Sequence, residues 1–402
     1  MGILTGYRVI DFTSFLSGPL STCILADLGA EVIRVERPDK KLAGGPYKGG
    51  ERSYDFSLMR GKKSVTLDAK DPEQHKILVD LISTADALVE NFKPGTTKKM
   101  GISYEEVIQY NPNICYASIS GFGQTGPYSS RGALDLVIEG MSGFMSITGE
   151  RDGRPLSAGA SIADMFAGLH AAIGMLAMLL NRERTGKGQH LDISMLEAMF
   201  AVCCENAVTR YLNFGTIAGR IGNDHPANAC FSDFPTSDGS IIIAANRDNT
   251  YAAMCRALNM EEYINDPRFL TCNDRLERRE EIHEIIREHS RKFTTAELDE
   301  RLRKEGCPAG VINNIKQICE DECINARGMI LEVDHKTAGT YKIPNSPLRF
   351  SETPVNIKHG APILGENNRE IFGQLGLSKE QIDALLEKQA KVRTMFKDHE
   401  LD

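Results

Sequence analysis

Residues 7–36, YRVIDFTSFLSGPLSTCILADLGAEVIRVE, decide the fold class of this 402-residue chain. Residues 7–13 have the apolar pattern of a buried strand, and Gly18-Pro19 begins a helix that stops at Gly29. A second strand pattern follows at residues 31–36. A strand, a helix and a strand in such short succession predict a parallel βαβ unit.

The same alternation of strand and helix continues along the N-terminal part of the chain. It predicts an α/β fold, a large doubly wound Rossmann-like domain over residues 1–214 accompanied by a smaller α+β domain. Between two of the strands, residues 37–62 form a polar, glycine-rich loop of the kind that often carries function. The further strand patterns lie at residues 63–68, 85–92 and 114–120.

The pattern breaks at residues 215–229, where Gly, Asn and Pro are frequent. This composition is typical of a linker between domains. Residues 230–330 combine strand and helix patterns and predict the smaller α+β domain. Residues 331–402 are expected to return to the large domain and to end in an amphipathic helix.

Residues 160–184, ASIADMFAGLHAAIGMLAMLLNRER, predict a buried helix with Asp164 in its first turn. Ser161 stands where a helix cap is expected. The apolar run is shorter than the roughly 20 residues that a membrane span needs, so no membrane association is predicted. Asp164 is open to two interpretations: an acid favoured by the helix dipole, or a carboxylate nucleophile facing a cleft.

Composition excludes several classes of function. The net charge of −8 argues against a general nucleic-acid surface. The ten cysteines form no CxxC pair, which favours reduced thiols in the cytoplasm over disulfides, and no metal site is predicted. The first residues enter a strand pattern directly and lack the basic and apolar regions of a signal peptide.

Residues 121–126, GFGQTG, formally match a dinucleotide-binding fingerprint. They follow a strand, but the next residues form a turn and not the start of an apolar helix. A nicotinamide-dependent dehydrogenase is therefore not predicted. A tight loop at the carboxyl edge of the sheet, where ligands bind in such folds, is the better interpretation.

A series of ordered motifs resembles the class III CoA-transferases, the family that includes formyl-CoA and carnitine CoA-transferases (CaiB/BaiF-like proteins). The resemblance covers nearly the whole chain and favours the nucleophile interpretation of Asp164. It also implies an interlocked homodimer. The motifs are VIDFTSFLSGP at 9–19, DLGAEVIRVERP at 27–38, GKKSVTLD at 61–68, ADALVENFKPG at 85–95, GFGQTGPY at 121–128, the Asp164 segment, and RTGKGQHLDISM at 184–195.

The resemblance implies that CoA moves from an acyl-CoA donor to a carboxylic acid acceptor. Asp164 would form an acyl anhydride and then an aspartyl-CoA thioester. CoA would thus be a substrate, with no tightly bound cofactor. Water must be kept away from the anhydride, and a helix in an apolar core suits that need.

The resemblance also implies a set of CoA-binding residues in the loops that follow the strands. Its three basic members, Arg37, Lys62 and Lys99, stand on separate loops and could converge on phosphate groups. The set is Phe15, Ser17, Arg37, Met59, Lys62, Asn91, Phe92 and Lys99.

Two positions depart from related branches. Leu16 and Leu134 replace a glutamine and a tyrosine of the formyl-CoA branch, so an oxalate-type substrate is not expected. The α-methylacyl-CoA racemases pair the aspartate with a histidine where this chain has Leu134, which argues against the alternative of a racemase-like isomerase. A non-catalytic CoA-binding protein is the third possible function.

The side chains that could bind the second carboxylate of a dicarboxylic acid are Arg52, Arg131 and Arg220.

Overall fold

The structure, a computed structural model, describes residues 2–39, 46–49, 51–357 and 359–397. The predicted functional loop at residues 37–62 and the end of the predicted C-terminal segment therefore lie partly outside the described residues. The strands are β1 (Arg8–Phe12), β2 (Glu31–Glu36), β3 (Tyr47–Lys48), β4 (Glu51–Arg52), β5 (Lys63–Thr66), β6 (Ala87–Glu90), β7 (Cys115–Ser120), β8 (His190–Ser194), β9 (Phe231–Pro235), β10 (Ser240–Ala244), β11 (Ala309–Val311), β12 (Ile330–His335) and β13 (Gly339–Pro344).

Helices separate most of these strands. They are α1 (Ser17–Asp27), α2 (Ser53–Leu58), α3 (Pro72–Ser83), α4 (Thr96–Lys99), α5 (Tyr104–Val107), α6 (Asp135–Met141), α7 (Phe144–Ile147), α8 (Ile162–Thr185), α9 (Met195–Ala198), α10 (Glu205–Phe214), α11 (Asp248–Ala257), α12 (Cys272–Glu277), α13 (Arg279–Ser290), α14 (Thr295–Glu305), α15 (Ile315–Glu320), α16 (Glu322–Ala326), α17 (Asn368–Gln374) and α18 (Lys379–Lys397). A π-helical turn, Met199–Cys203, joins α9 to α10.

A six-stranded parallel sheet forms the centre of the larger unit, with the strand order β5–β2–β1–β6–β7–β8. Each adjacent pair of strands runs parallel, which confirms the predicted α/β class. The strand order reverses between β1 and β6, because β1 pairs with β2 on one side and with β6 on the other. The loops that follow β1 and β6 diverge at this switch point, where ligands bind in open α/β sheets.

Helices cover both faces of this sheet, as a doubly wound fold requires. Successive strand side chains point to opposite faces, so Val9 and Ile10 enter two different hydrophobic clusters. Val9 lies in the cluster that also holds Ala167 of α8, and Ile10 lies in the cluster that also holds Phe372 of α17. Both β1 side chains are fully buried.

The edge of the sheet at β5 is covered by side chains from the C-terminal segment. The Ser64 N–H donates to Asn367 Oδ1 at 3.1 Å, and the Thr66 N–H donates to Asn368 Oδ1 at 2.8 Å. Gln389 of α18 donates from Nε2 to the Thr66 carbonyl at 2.8 Å. These amides satisfy main-chain groups that an open edge strand would leave without protein partners.

Helix α8 has 24 residues and agrees with the predicted helix at residues 160–184 to within two residues at each end. By length and composition alone it could cross a membrane, so the sequence argument that the run is too short was wrong. A stripe of fully buried residues nevertheless packs one face of α8 into the core: Ala163, Ala167, Ala171 and Met175. The small side chains allow neighbouring elements to approach this face closely.

The smaller unit consists of residues 145–156 and 215–322 and has its own core around Phe234 and Ile241. Its three-stranded antiparallel sheet has the order β11–β10–β9. The bounds of the smaller unit differ from the predicted 230–330. The predicted linker at 215–229 belongs to the unit, because the Ser232 hydroxyl donates to Asp224 at 2.6 Å. The larger unit resumes at residue 323 instead of 331.

Candidate active site

Asp164 occupies the first turn of α8, where its side chain is half-buried. The main-chain N–H and the hydroxyl of Ser17 both donate hydrogen bonds to its carboxylate. Ser17 is the first residue of α1, so the carboxylate meets the start of a second helix. The positive end of the α1 dipole therefore faces a negative charge, which is the favourable arrangement.

The close approach of α1 and α8 depends on Gly168, one turn beyond Asp164. A Cβ atom at this position would lie 2.5 Å from the Ser17 carbonyl oxygen and 3.3 Å from Leu20. Any larger residue would push the two helices apart. Gly168 therefore keeps Ser17 within hydrogen-bonding reach of Asp164.

The start of α8 is capped by Asp135, which sequence reasoning did not identify. Asp135 Oδ1 accepts hydrogen bonds from the N–H of Ala163 at 2.9 Å and from the N–H of Asp164 at 3.2 Å. Ser161, the predicted cap, makes no side-chain capping bond, since its backbone (φ −75°, ψ 68°) departs from the extended conformation typical of a cap residue. A carboxylate from another helix takes that role.

Burial is the main cause that raises the pKa of the Asp164 carboxyl above its ordinary value. The hydrogen bonds from Ser17 act in the opposite direction, and the negative charge of Asp135 raises the pKa further. Within the described part of the chain, no arginine or lysine contributes to this pKa. Asp164 is thus a carboxylate held by neutral donors, without a fixed counter-ion.

The loop after β1 is clamped to the loop after β6 by Asn91. Its Oδ1 accepts from the Ser14 N–H at 2.8 Å, and its Nδ2 donates to the Ser14 carbonyl at 2.7 Å and to the Ser17 hydroxyl at 3.3 Å. Between them, Phe15 adopts a left-handed conformation (φ +63°) and exposes 62% of its surface. The structure thus brings Phe15, Ser17 and Asn91 together at the switch point of the sheet.

Other predicted CoA-binding residues lie near the same edge of the sheet. Arg37 follows β2, is exposed, and pairs with Asp39 at 2.7 Å. Phe92 follows β6, and its N–H donates to Glu90 at 2.8 Å. Lys99 is exposed at the end of α4. Arg37 and Lys99 are thus accessible to solvent on two separate segments.

Lys62 and Met59 are placed differently from the prediction. The Lys62 ammonium is buried and donates to Asp11 at 2.9 Å, to the Pro19 carbonyl at 3.0 Å and to the Thr22 hydroxyl at 2.7 Å. Because an ammonium group has three donors, none remains for a phosphate. Met59 is also buried, beside Leu16. Lys62 therefore has to be removed from the set of phosphate-binding side chains.

Of the three arginines that could bind a second carboxylate, Arg52 is the one linked to Asp164, through its neighbour Tyr54. Its guanidinium lies 5.0 Å from the ring centre of Tyr54 and pairs with Asp55 at 2.7 Å. Burial, and next the charge of Asp164, raise the pKa of Tyr54 to about 12, so the phenol lies within the electrostatic reach of Asp164. Sequence reasoning did not identify Tyr54.

The other two arginines make local contacts. Arg131 lies over the rings of Tyr128 and Phe122, at 4.7 and 5.4 Å from the ring centres. Arg220 belongs to the smaller unit, where it donates to the Gly153 carbonyl at 2.7 Å. Neither contact connects to Asp164.

The glycine loop at residues 121–126 does not lead into a helix. β7 ends at Ser120 and the next helix, α6, begins at Asp135, which is what the sequence predicts for a loop that is not a dinucleotide fingerprint. Among the described residues, no group of three His, Cys, Asp or Glu side chains could hold a metal ion.

Comparison with known proteins identifies the family. A family model described as CoA-transferase family III matches residues 4–368. The chain belongs to this family. It is 35% identical to a succinate–glutarate CoA-transferase from Agrobacterium fabrum, over 92% of this chain and 95% of that protein. It is 36% identical to a succinyl-CoA–D-citramalate CoA-transferase from Chloroflexus aurantiacus, over 95% of this chain and 96% of that protein.

A solved structure agrees with this assignment. The crystal structure of a CaiB/BaiF family protein from Brucella suis superposes with a TM-score of 0.83 and 35% identity, over 93% of this chain and 99% of that one. The protein is thus an acyl-CoA:carboxylate CoA-transferase of family III, and CoA thioesters are its substrates.

Proposed function

We propose that Asp164 is the nucleophile that carries CoA transfer in this enzyme. The observation that supports it is the environment of the carboxylate: Ser17 donates two hydrogen bonds and no cation pairs with it among the described residues. A carboxylate with a raised pKa and no counter-ion is a better nucleophile than one held in an ion pair. The start of α1 orients it without neutralising it.

The first half of the reaction releases the donor acid. An Asp164 oxygen attacks the thioester carbonyl, the C–S bond breaks, and the electron pair leaves with sulfur as CoA thiolate. The product is a mixed anhydride. The thiolate then attacks the aspartyl carbonyl, the C–O bond to the acyl group breaks, and the donor acid leaves as a carboxylate. Asp164 is now an aspartyl-CoA thioester.

The second half reverses these steps with the acceptor acid. Its carboxylate attacks the aspartyl thioester, and CoA thiolate leaves again. The thiolate attacks the acyl carbonyl of the new anhydride, which yields the product acyl-CoA and the free Asp164 carboxylate. Each attack on the aspartyl carbonyl places negative charge on an oxygen beside Ser17, whose N–H can stabilise it.

We place CoA along the carboxyl edge of the sheet. Phe15 and Phe92 are positioned to flank it, and Arg37 and Lys99 are accessible for its phosphates. The Asn91 clamp fixes the loop on which Ser17 stands. At Met59 and Lys62 the buried side chains leave only the main chain for a contact with the nucleotide.

We propose that the acids exchanged are dicarboxylic acids and that Arg52 binds the second carboxylate. The names of the two relatives refer to dicarboxylic acids. Leu58, the last residue of α2, packs with Leu16, the neighbour of Ser17, and the charge of Asp164 reaches Tyr54 in the first turn of α2. Arg52 directly precedes α2 and offers a planar guanidinium suited to a carboxylate.

Substitution of Arg52 tests this assignment. R52M should raise the KM for succinate or glutarate about tenfold or more, because a charge-assisted hydrogen bond is lost. The KM for a monocarboxylic acid of similar length should not change. R131M is the matched control and should affect neither. Equal effects of R52M on both kinds of acid would rule out the specificity role.

The racemase alternative receives no support from the structure. Leu134, which stands where the racemases carry a histidine, precedes α6 and exposes 66% of its surface. Its side chain cannot accept or donate a proton. Two-base proton transfer therefore lacks its second group at this position.

We propose that the enzyme is a homodimer of interlocked chains in the cytoplasm. The larger unit exposes apolar side chains that a second copy would cover. Each of these is at least 50% exposed: Leu134, Leu136, Ile173, Leu180, Phe200, Leu212 and Phe214. Light scattering should give twice the 44.3 kDa of one chain, and differently tagged chains should exchange only after unfolding. A mass of one chain would contradict the dimer.

Hydroxylamine trapping tests the proposed mechanism directly. The enzyme is mixed with succinyl-CoA or glutaryl-CoA, quenched with hydroxylamine and digested for mass spectrometry. A hydroxamate on the peptide that carries Asp164 is the expected result, because hydroxylamine cleaves both the anhydride and the aspartyl thioester. Transfer activity without any adduct at Asp164 would overturn the assignment.

A further inference from the structure

Glu90, the last residue of β6, is a buried acid with no part in the chemistry described above. It is only 2% exposed, although a charged carboxylate is costly to bury. Its Oε2 accepts a hydrogen bond from the Phe92 N–H at 2.8 Å. This bond spans two residues and closes a turn around Asn91, where the chain leaves the sheet. The buried acid thus fixes the segment that carries Asn91.

The alternation of side chains along β6 explains why Asn91 faces the nucleophile. Leu88 belongs to the hydrophobic cluster on the α17 face of the sheet, whereas Val89 belongs to the cluster on the α8 face. Glu90 therefore points to the same face as Leu88. Asn91 lies on the opposite side, where its Nδ2 donates to the Ser17 hydroxyl at 3.3 Å.

The loop on the other side of the Asn91 clamp is anchored in the same way. Asp11 of β1 accepts a hydrogen bond from the Thr13 N–H at 2.8 Å, again across two residues. β1 and β6 are neighbouring strands, and Phe12 is paired with Glu90 in their register. Each of the two loops that Asn91 joins therefore begins with an N–H group held by a buried acid of the preceding strand.

Polar side chains of β7 and β8 lie beside Glu90. The register of β6 and β7 pairs Glu90 with Ser118, which is itself buried. The Ser118 hydroxyl lies 2.9 Å from His190 Nε2, and the His190 ring stacks on Tyr104 with 5.0 Å between the ring centres. A serine and a histidine at this distance resemble a nucleophile and its base, but burial closes the hydroxyl to substrates. The group is part of the packed sheet that supports Glu90.

The turn around Asn91 needs an acceptor oxygen and not a negative charge. Burial raises the pKa of Glu90 to about 7, and hydrogen bonds from Ser118 and from the Phe92 N–H act in the opposite direction. Both the charged and the protonated carboxyl keep an oxygen that can accept the Phe92 N–H. An amide in place of this carboxyl should therefore preserve the turn.

We infer that Glu90 is a positioning residue, which holds the turn around Asn91 and thereby keeps Ser17 in place. Ser17 in turn donates the hydrogen bonds that orient the Asp164 carboxylate. This inference rests on the proposed role of Asp164. Glu90 itself is buried in the sheet, so it acts on the nucleophile through Asn91 and is not a catalytic residue.

Two variants of the full-length enzyme, similar in size to the wild type, separate the acceptor oxygen of Glu90 from its volume. E90M removes the acceptor and should lower kcat about tenfold or more. The KM for acyl-CoA should change less, because the phosphate-binding side chains are untouched. E90Q keeps an acceptor for the Phe92 N–H and should stay within about threefold of the wild-type kcat. E90A also lacks the acceptor and replaces E90M where the longer side chain does not fold.

A double-mutant cycle with N91A tests whether Glu90 acts through Asn91. Substitutions in one contact network are not additive in free energy, whereas distant and independent ones are. E90M/N91A should therefore be no more than about twofold slower than N91A alone. D71A is the matched control: Asp71 also accepts an N–H two residues ahead, that of Glu73 at 3.0 Å, but it caps α3. D71A should leave kcat unchanged.

Three results would overturn the inference: E90M with the kcat of wild type, E90Q as slow as E90M, or rate losses of E90M and N91A that multiply in the double variant. Trapping with hydroxylamine separates this failure from failure of the proposed function. Wild-type enzyme that transfers CoA without an adduct at Asp164 would refute the nucleophile itself. An adduct in wild type combined with an unchanged kcat in E90M would refute only the role of Glu90.

Discussion

Two aspartates beside helix α1 show opposite uses of a carboxylate. Asp11, on β1, is fully buried and accepts hydrogen bonds from Thr22 of α1 and from Lys62. Although burial alone would raise its pKa, the charges of Lys62 and Arg34 and the bond from Thr13 hold that pKa below its ordinary value. Asp164 meets the start of the same helix with no cation beside it in the described part of the chain.

The difference shows what separates a structural acid from a reactive one in this fold. The Lys62–Asp11 pair fixes the charge of Asp11 and removes it from chemistry, since both side chains are fully buried. Among the residues that the structure describes, Asp164 receives only N–H and O–H donors, so its charge is oriented but not neutralised. A cation next to Asp164 would lower its pKa and weaken it as a nucleophile.

The largest effect should come from loss of the reactive acid. D164A should reduce CoA transfer by at least about 10⁴-fold, because no other group can form the anhydride. The free energy of unfolding should stay the same or rise, since a half-buried carboxylate without a cation contributes little to stability. Steady-state transfer assays and urea unfolding measure the two quantities. Substantial residual transfer by D164A would place the nucleophile elsewhere.

The structural acid should show the reverse pattern. K62M should lower the free energy of unfolding by about 3–5 kcal/mol, because Asp11 would be left as a buried charge without a partner. Urea unfolding measures the loss, and the double variant D11N/K62M should recover much of it. K63M is the matched control: Lys63 pairs with Glu31 at the surface, and its loss should cost less than about 1 kcal/mol. Equal losses in K62M and K63M would refute this contrast.

A smaller effect is expected where the two helices touch. G168A would place a Cβ 2.5 Å from the Ser17 carbonyl and should cost about 1–3 kcal/mol of stability. It should also slow transfer, because Ser17 moves away from Asp164. G373A is the control, since a Cβ at Gly373 of α17 has no heavy atom within 4 Å. Wild-type kinetics in G168A would show that the spacing is not critical.

The smallest expected effect is a difference between the pH at which activity is lost and the pH at which the fold is lost. Asp164 has a raised pKa, so it is protonated and inactive at a pH where a free aspartate is still ionised. Asp11 has a lowered pKa, so the stability from its ion pair is present above the unfolded pKa and is lost only as the pH falls through the lowered value. Transfer rates and far-UV circular dichroism should therefore show that activity is lost at a higher pH than the fold. Coincident losses would contradict the comparison.

The sequence alone was sufficient to predict the structure where a local pattern of residues determines it. The βαβ pattern of residues 7–36 predicted the parallel sheet, and the apolar run after Asp164 predicted α8. To predict that Asp164 lies in the first turn of α8, it was enough to predict where that helix begins. In each case the signal lies within one or two neighbouring elements.

Such local patterns could not predict contacts between residues that are distant in the sequence. Asp135 caps α8 from another helix, so its role depends on how α6 packs and not on its neighbours in sequence. Lys62 looked like a loop cation because nothing local shows that Asp11, on another strand, is its partner. Residues 215–229 resembled a linker by composition, although Asp224 ties them to the smaller unit.

The cover of the sheet edge has a consequence for synthesis of the chain. β5 leaves the ribosome long before its partner Asn367, because 303 residues separate Ser64 from that asparagine. At common rates of translation this interval lasts roughly 15–60 s. During this time the nascent strand edge has no amide side chains to satisfy it and can pair with other extended chains. Chaperone binding before release of the finished polypeptide is therefore expected to matter more here than for folds whose edges close locally.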